Sequence, residues 1–503
     1  MRGELTIGDI FRNAARAVPS RAAAVLGDRA LSFADVDEGA NRVARVLEGL
    51  GIGHGDLVVV WSSTSLDLVP LFAALAKLGA VFAPIGAALG IEEAMVVGAT
   101  AKPALIVVDA DHTAQGEAVA ARVGAPLARS AGLSGGDLPG AGPGAALATL
   151  ARTAVDTDVS TATLRETDPH VVFFTSGSTG RPKGAVLSHR VNFLRSHPGA
   201  LLEPRGPMVC PYPLSHMGAW TIALQQWQGR DVVVLLDSAD ARAITAAVAD
   251  HAASRLNAIP AVWGRILATH GEDGAMAALA SLRFADTGTS STPLELLEAI
   301  ERAAPQAHVR VFYGSTEAGS VASLDHADIG RKPGSCGVPA PGTEVRLDDT
   351  GELWVRSPLL FDGYLGDDAA TSEALVHGWY RTGDLAEVDE EGYLSIVGRA
   401  RDVIRTGGET VSPSEVEAVL SRHPGVADVA VVGVPDPSWG ETVCAVVVAT
   451  PGAVPPSLED LRAHCEGTLA RFKHPRRLEI VDEIPRTLST LQVQRRLLVE
   501  RLS

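Results

Sequence analysis

The chain has 503 residues, too many for one ordinary core, so two or more domains are expected. An apolar share of 46% with 20% charged residues describes a globular protein, and a net charge of −17 disfavours nucleic acid or an anionic membrane as partner. Four scattered cysteines (Cys210, Cys336, Cys444, Cys465) form no C-x-x-C pair, which argues for buried thiols and against a disulfide framework or zinc site.

In chain order, residues 5–26 read as an amphipathic helix and then the strand Ala23–Leu26. No basic region followed by an apolar core opens the chain, so no signal peptide is expected. Ser32 with Asp35 predicts a capped helix from Phe33 to Leu50, stopped at Gly51. Leu57–Trp61 reads as a buried strand, Ser65–Leu78 as a helix ending at Gly79, and Val81–Ile85 and Ala104–Val108 as further strands. The most apolar window, Leu66–Leu89, is broken by Asp67, Pro70, Lys77 and Pro84, so it is expected in a core rather than a membrane. The cytoplasm is the expected location.

Residues 131–158 are rich in Gly, Ala and Pro and predict an irregular connection. Strands follow at Val171–Phe174, Val232–Leu236 and Val309–Tyr313, with a helix at Ala239–Ala253. Strands separated by helical stretches imply crossovers and largely parallel sheets. Glu352–Arg356 reads as a half-exposed strand, and the charged stretch Gly398–Arg405 as a linker. The helix Ser412–His423, strands Val429–Val434 and Thr442–Val448, helix Ser457–Leu469 and a basic C-terminal helix make a small α+β domain.

The strand Val171–Phe174 runs into Thr175-Ser176-Gly177-Ser178-Thr179-Gly180-Arg181-Pro182-Lys183-Gly184. Glycines free the backbone to turn N–H groups to one side, the hydroxyls add neutral donors, and Lys183 adds a mobile charge suited to phosphate. This is a polyphosphate cradle, though not the Walker pattern, since Lys183 follows a proline and no Ser or Thr follows it. Taken alone, such a loop is as readily a surface turn.

Downstream lie Pro213-Leu214-Ser215-His216, Tyr313-Gly314-Ser315-Thr316-Glu317, Tyr380-Arg381-Thr382-Gly383-Asp384 and Gly398-Arg399-Ala400-Arg401-Asp402. In this order and spacing the chain resembles, over nearly its whole length, the AMP-forming adenylate superfamily of acyl-CoA synthetases, peptide-synthetase adenylation domains and luciferases. The resemblance implies an α/β fold: a large N-terminal domain with mostly parallel sheets (residues 1–398), a hinge (399–403) about Asp402, and a small mobile α+β C-terminal domain (404–503).

It also implies roles. Thr175, Ser176, Gly177, Ser178, Thr179, Gly180 and Lys183 hold the phosphates of ATP. Tyr313 stacks on adenine, with Gly314 and Ser315 beside it. Thr316 holds the α-phosphate and Glu317 binds Mg2+. Asp384 takes the ribose hydroxyls, and Arg399 meets ribose or phosphate. His216 stands beside the acyl carboxylate. Gly288, Thr289 and Ser290 lie against adenine and the acyl group, Thr289 standing where the family has a second glycine. The hydroxyls here, with Asp286, suggest an acyl site more polar than a plain fatty-acyl tunnel. Gly407 and Gly408 face the arm of CoA. The expected partners are a carboxylic acid, ATP and CoA, with a homodimer as the family-level assembly.

One position departs from the family. Where it places a catalytic lysine near the C-terminus, the text Pro485-Arg486-Thr487-Leu488-Ser489-Thr490-Leu491-Gln492-Val493-Gln494-Arg495-Arg496 puts Gln492, with one extra residue after Arg486. An amide donates hydrogen bonds but carries no charge. Three readings stand open: a slow adenylator, a lysine replaced to trap one state, or a homologue with different chemistry.

Overall fold

A computed structural model describes residues 3–135, 145–159, 163–176, 182–197, 205–486 and 492–502. The chain divides into two compact units: residues 1–333 with 340–343 and 356–380, and residues 334–339 with 344–355 and 381–503.

The first unit is built on two sheets. One runs in the order Arg29–Ser32, Ala22–Leu26, Val233–Leu235, Met208–Cys210, Arg255–Asn257, Phe284–Gly288, His308–Ser315, Gly319–Leu324. From Ala22–Leu26 to His308–Ser315 every pairing is parallel, and the flanking pairs are antiparallel. The other runs Ala145–Ala146, Leu127–Arg129, Leu105–Val108, Leu57–Trp61, Val81–Ile85, Pro169–Ser176, Pro182–Ser188, Gly363–Tyr364, and turns antiparallel at Pro182–Ser188. Leu57–Trp61 and Val81–Ile85 are buried at every position, as unbroken apolar runs in parallel sheets should be.

The helix Phe33–Gly49 carries the expected capping box of Ser32 and Asp35. The next helix begins at Leu68 rather than Ser65, which leaves Pro70 in its first turn, where the missing N–H costs nothing. All of that helix is buried. Phe72 stacks on Trp220 of the helix Met217–Gln228 at 4.1 Å and meets Phe82 and His170, both of the second sheet, edge-on. Lys77 is wholly buried, and its ammonium finds Asp37 Oδ1 and Asn41 Oδ1, both at 2.6 Å. In the stretch expected to be irregular, Leu147–Ala151 forms one short helix with Leu147 buried. Residues 136–144 of that stretch lie outside the described residues.

His170 and His189 are fully buried with ring centroids 4.7 Å apart. Asn192 bonds His170 Nδ1, and the Ile7 N–H donates to His189 Nδ1. Burial holds the His189 imidazole down to about 4 and His170 well below its ordinary value, helped by His189. A depressed histidine stabilises the fold fully above its unfolded value and loses that contribution as pH falls through its folded one. Stability is therefore expected to be flat above pH 6.5 and to fall from there towards pH 4, by about 3 kcal/mol from His189 alone. Denaturant midpoints at pH 7, 6 and 5 check this. His189→Gln should flatten the profile, and an unchanged profile in that variant would reject the assignment.

The second unit contains the strands Glu344–Leu347 and Leu394–Arg399 and most of Glu352–Arg356 and Trp379–Val388, the strands Trp379–Val388 and Leu394–Arg399 pairing antiparallel with Asp384 opposite Arg399. A second sheet runs Glu409–Val411, Ile404–Thr406, Gly440–Ala449, Val426–Asp436, with Arg477–Ile480 parallel to Gly440–Ala449. Alternation puts Val429, Val431, Val443, Ala445 and Val447 under the helices Pro413–Leu420 and Leu458–Cys465. Ala430, Val432, Val434 and Val446 face Leu498 of the helix Arg495–Leu502. The stretch expected as a linker comprises the end of one strand, a turn at 400–402, and the start of the next sheet.

All four cysteines are free and buried. Burial pushes the Cys210 and Cys336 thiols up to about 12, so neither is a ready nucleophile. Among the described residues, no helix is long and apolar enough to cross a membrane.

Candidate active site

The strand that opens the phosphate motif returns as a hairpin rather than entering a helix. Thr175 sits opposite Lys183, and Ser176 opposite Pro182. Gly177, Ser178, Thr179 and Gly180 lie outside the described residues. The hairpin's far edge pairs with Gly363–Tyr364, Tyr364 opposite Ala185, and this sets the Tyr364 ring under Lys183, whose Nζ lies 4.9 Å from the ring centroid.

Glu317 reaches the same place from the other sheet. Residues 316–318 form the turn between His308–Ser315 and Gly319–Leu324, so Glu317 is a hairpin-turn residue and not a helix-start carboxylate. The Ser315 hydroxyl accepts the Ala318 N–H at 3.0 Å and closes the turn. Gly314 is required by close approach, since a Cβ there would lie 2.1 Å from the Gly319 carbonyl. Glu317 Oε1 accepts from the Tyr364 hydroxyl at 3.1 Å and stands 3.4 Å from the Thr175 hydroxyl. Burial and the neighbouring carboxylate push the Tyr364 phenol up, so it donates at neutral pH. A cation, a carboxylate and two hydroxyls thus meet at the ends of two sheets.

Beneath them lies a group that no motif announced. Arg195 is half-buried, and its guanidinium donates to the carbonyls of Thr316 (2.8 Å), Glu317 (2.9 Å) and Leu359 (2.6 and 2.8 Å). Loss of water around the guanidinium brings it down to about 10, opposed by Glu317 and Asp362, so it stays charged. The Phe361 N–H also donates to the Glu317 carbonyl, at 2.7 Å. Arg195 and Tyr364 are the members of this candidate site that sequence reasoning missed. The only local signal was an arginine closing a short helix after the phosphate motif.

His216 precedes the helix Met217–Gln228, in a loop held by the Trp220 indole donating to the Leu214 carbonyl at 2.6 Å. Burial lowers its imidazole, which is therefore neutral at pH 7. Gly288 ends its strand opposite Phe312, one residue before Tyr313. Thr289 takes φ +71, a left-handed conformation costing a β-branched residue about 1–2 kcal/mol. A glycine would adopt it freely, which accounts physically for the family's second glycine. His216, Gly288–Ser290 and Tyr313–Glu317 lie at or beyond the carboxyl ends of parallel strands of one sheet, where open α/β sheets bind ligands. Asp286, expected to add polarity to this region, is 3% exposed and engaged by Arg310 through both oxygens, at 2.8 and 2.9 Å.

In the second unit, Asp384 is 6% exposed and ion-paired with Arg399 Nε at 3.0 Å. Although a turn was expected before it, Asp384 lies within the strand Trp379–Val388, tied down by the Thr382 hydroxyl, which donates to the Leu353 carbonyl and accepts the Asp384 N–H. Glu352 receives Arg381 and the Gly383 N–H. Asp402 faces Arg401 at 3.5 Å and Arg495 at 3.7 Å, and Arg495 also binds Glu417 at 2.6 Å and the Val431 carbonyl. Gly407 has φ +61, and a Cβ there would lie 2.7 Å from the Trp439 ring. That indole is 45% exposed, with Arg476 stacked 3.7 Å from its centroid. Gln492 lies just before the bridge between Arg486 and Val493, while 487–491 lie outside the described residues.

Set beside known proteins, residues 11–365 match the model of the AMP-binding enzyme family, and residues 415–490 that of the AMP-binding enzyme C-terminal domain. The chain is 31% identical over 472 residues to a long-chain-fatty-acid–CoA ligase of Mycobacterium tuberculosis, covering 91% of each chain. It is 32% identical over 493 residues to the indoleacetate–CoA ligase of Aromatoleum aromaticum, covering 93% of each. Of solved structures, ATP-bound MatB from Rhodopseudomonas palustris matches with a TM-score of 0.86 and 28% identity over 98% of both chains.

Proposed function

Because the chain belongs to the AMP-binding enzyme family, we propose that it is an AMP-forming acid–thiol ligase that joins a carboxylic acid to CoA using ATP. The observation that carries this reading is the meeting of Lys183, Thr175, Tyr364 and Glu317, drawn from both sheets of one unit.

In the first step a carboxylate oxygen of the acid attacks the α-phosphorus of ATP. The bond from that phosphorus to the oxygen bridging to the β-phosphorus breaks, and pyrophosphate leaves. Positioning and charge stabilisation are what a protein contributes to such a displacement. Lys183 is a point charge for the phosphates, shared with the hydroxyls and N–H groups of 175–180. Thr316 donates to the α-phosphate and Tyr313 stacks on adenine. Asp384, aligned by Arg399, accepts from the ribose. Neutral His216 stands beside the acyl carboxylate without adding repulsion or unwanted charge. Hard oxygen donors around Glu317 suit Mg2+, which is commonly held by one or two carboxylates together with substrate phosphates and there neutralises phosphate charge. In the second step the CoA sulfur bonds to the acyl carbon and AMP leaves, after the chain from Asp402 onward has turned and brought Gly407 and Gly408 to the thiol arm.

CoA is favoured over a carrier-protein thiol or a nitrogen nucleophile because the two relatives named above are CoA ligases. Gln492 stands at the lysine position and should weaken the first step. A cytoplasmic location and a homodimer belong to the same reading and rest on the resemblance alone. The test is ATP–pyrophosphate exchange across a panel of acids, followed by AMP release with and without CoA. Acid-dependent exchange and CoA-accelerated release are expected. Absence of exchange with every acid would leave a nucleotide-binding paralogue, and release indifferent to CoA would point to another acceptor.

A further inference from the structure

Arg255 opens the strand Arg255–Asn257 with its side chain 7% exposed. Among the described residues its guanidinium makes no hydrogen bond, and its Nε is buried and unpartnered. Its nearest opposite charge is Asp286 Oδ2, at 4.0 Å. That carboxylate is already engaged, because both its oxygens accept from Arg310. The guanidinium otherwise lies 5.1 Å from the centroid of Phe284. Burial brings Arg255 down to about 10, Asp286 opposing this and Arg310 and Arg205 adding to it. The other acid felt here, Asp231, accepts the Arg205 N–H. Arg205 and Arg310 thus oppose the charge of Arg255, while Asp231 and Asp286 favour it. A buried guanidinium carries five donors in a rigid fork and is costly to leave without an anion.

Strand register says where this charge lies. Asn257 is opposite Asp286, Asp286 opposite Arg310, and Gly288 opposite Phe312. Side chains two residues apart share a face, so Arg255, Asn257, Asp286, Arg310 and Phe312 line one face of the sheet. That face climbs to Gly288–Ser290 and Tyr313–Glu317 at the carboxyl ends. The Tyr212 hydroxyl, four residues before His216, donates to Asn257 Oδ1 at 2.7 Å on the same level. From the level of Gly288 to that of Arg255 is four residues, roughly 13 Å at the usual strand rise, less the reach of the arginine itself. Arg310, 23% exposed, stands between.

We propose that Arg255, beside Arg310 braced by Asp286, binds a second carboxylate on the acid, so that the substrate class is dicarboxylic acids. This rests on the ligase reading above, in which the first carboxylate reacts near His216. It also explains why a polar residue lies where a plain acyl chain would want apolar walls.

The test uses the full-length chain in ATP–pyrophosphate exchange with α,ω-dicarboxylic acids of increasing length, each beside its monomethyl ester. At the best length the dicarboxylate should exceed its ester in kcat/KM by at least tenfold. Arg255→Met should bring that ratio towards one, mainly through KM, and Arg255→Lys should restore part of it. A second measurement covers a variant that fails to fold: in the native chain without ATP, the preferred dicarboxylate should raise the thermal midpoint more than its ester or inorganic phosphate does. Equal exchange by diacids and esters, or a ratio indifferent to Arg255, overturns the inference while the ligase reading stands. Stabilisation by inorganic phosphate equal to that by the diacid overturns it in favour of a structural anion site. Exchange with no acid at all overturns both.

Discussion

Arg195→Met is expected to lower ATP–pyrophosphate exchange on the order of a hundredfold and to raise the Mg2+ concentration needed for half-maximal rate. The guanidinium touches no substrate in this scheme. It holds the carbonyls of Thr316 and Glu317 in one fork and that of Leu359 in the other, and so fixes how the turn presents its hydroxyl and carboxylate. A misplacement of about 1 Å at a reacting centre costs about that factor. Lysine keeps the charge but lacks the planar fork, so Arg195→Lys should rescue little. A purely structural role would lower the thermal midpoint and leave the Mg2+ dependence of the folded fraction unmoved. That outcome, or a rate within threefold of the native chain, would refute the positioning role.

Gln492→Lys should raise acyl-AMP formation by about a hundredfold, since one well-placed transition-state donor contributes on the order of 3 kcal/mol. Thiol attack on supplied acyl-AMP should hardly change, because in the proposed scheme the C-terminal lobe has turned residue 492 away by then. Measuring the half-reactions separately decides it. Equal gains in both would reject the rotation, and no gain in the first would show that another group here does the lysine's work.

Elements whose side-chain period carried one meaning were legible in the sequence. Leu57–Trp61 is apolar at every position and buried at every position. Ser32 and Asp35 gave their helix start through chemistry confined to four residues. The site was legible where function needs a residue type at fixed spacing, as in Tyr313–Glu317. It was not legible where the partner is a backbone carbonyl far along the chain. Arg195 meets Leu359 across 164 residues, and nothing in either neighbourhood marks the other. Tyr364 is similar, since strand pairing with Ala185 brings its ring under Lys183. Thr289 was visible as a replaced glycine, but its left-handed backbone was not. The Gly398–Arg405 stretch stood out by its charge, but the ion pairs that Arg399, Arg401 and Asp402 make were not visible in the sequence.

The turn at 400–402 is not slack chain. On one side, the hydroxyls of Ser412 and Ser414 both donate to the Val397 carbonyl. On the other, Arg495 ties Asp402 to Glu417 and Val431. A pivot here would behave as a latched joint: the serines must let go of Val397 before the lobe can swing, while the arginine keeps the far leaf stiff. The compliant bonds would then be few, lying between Gly398 and Arg401.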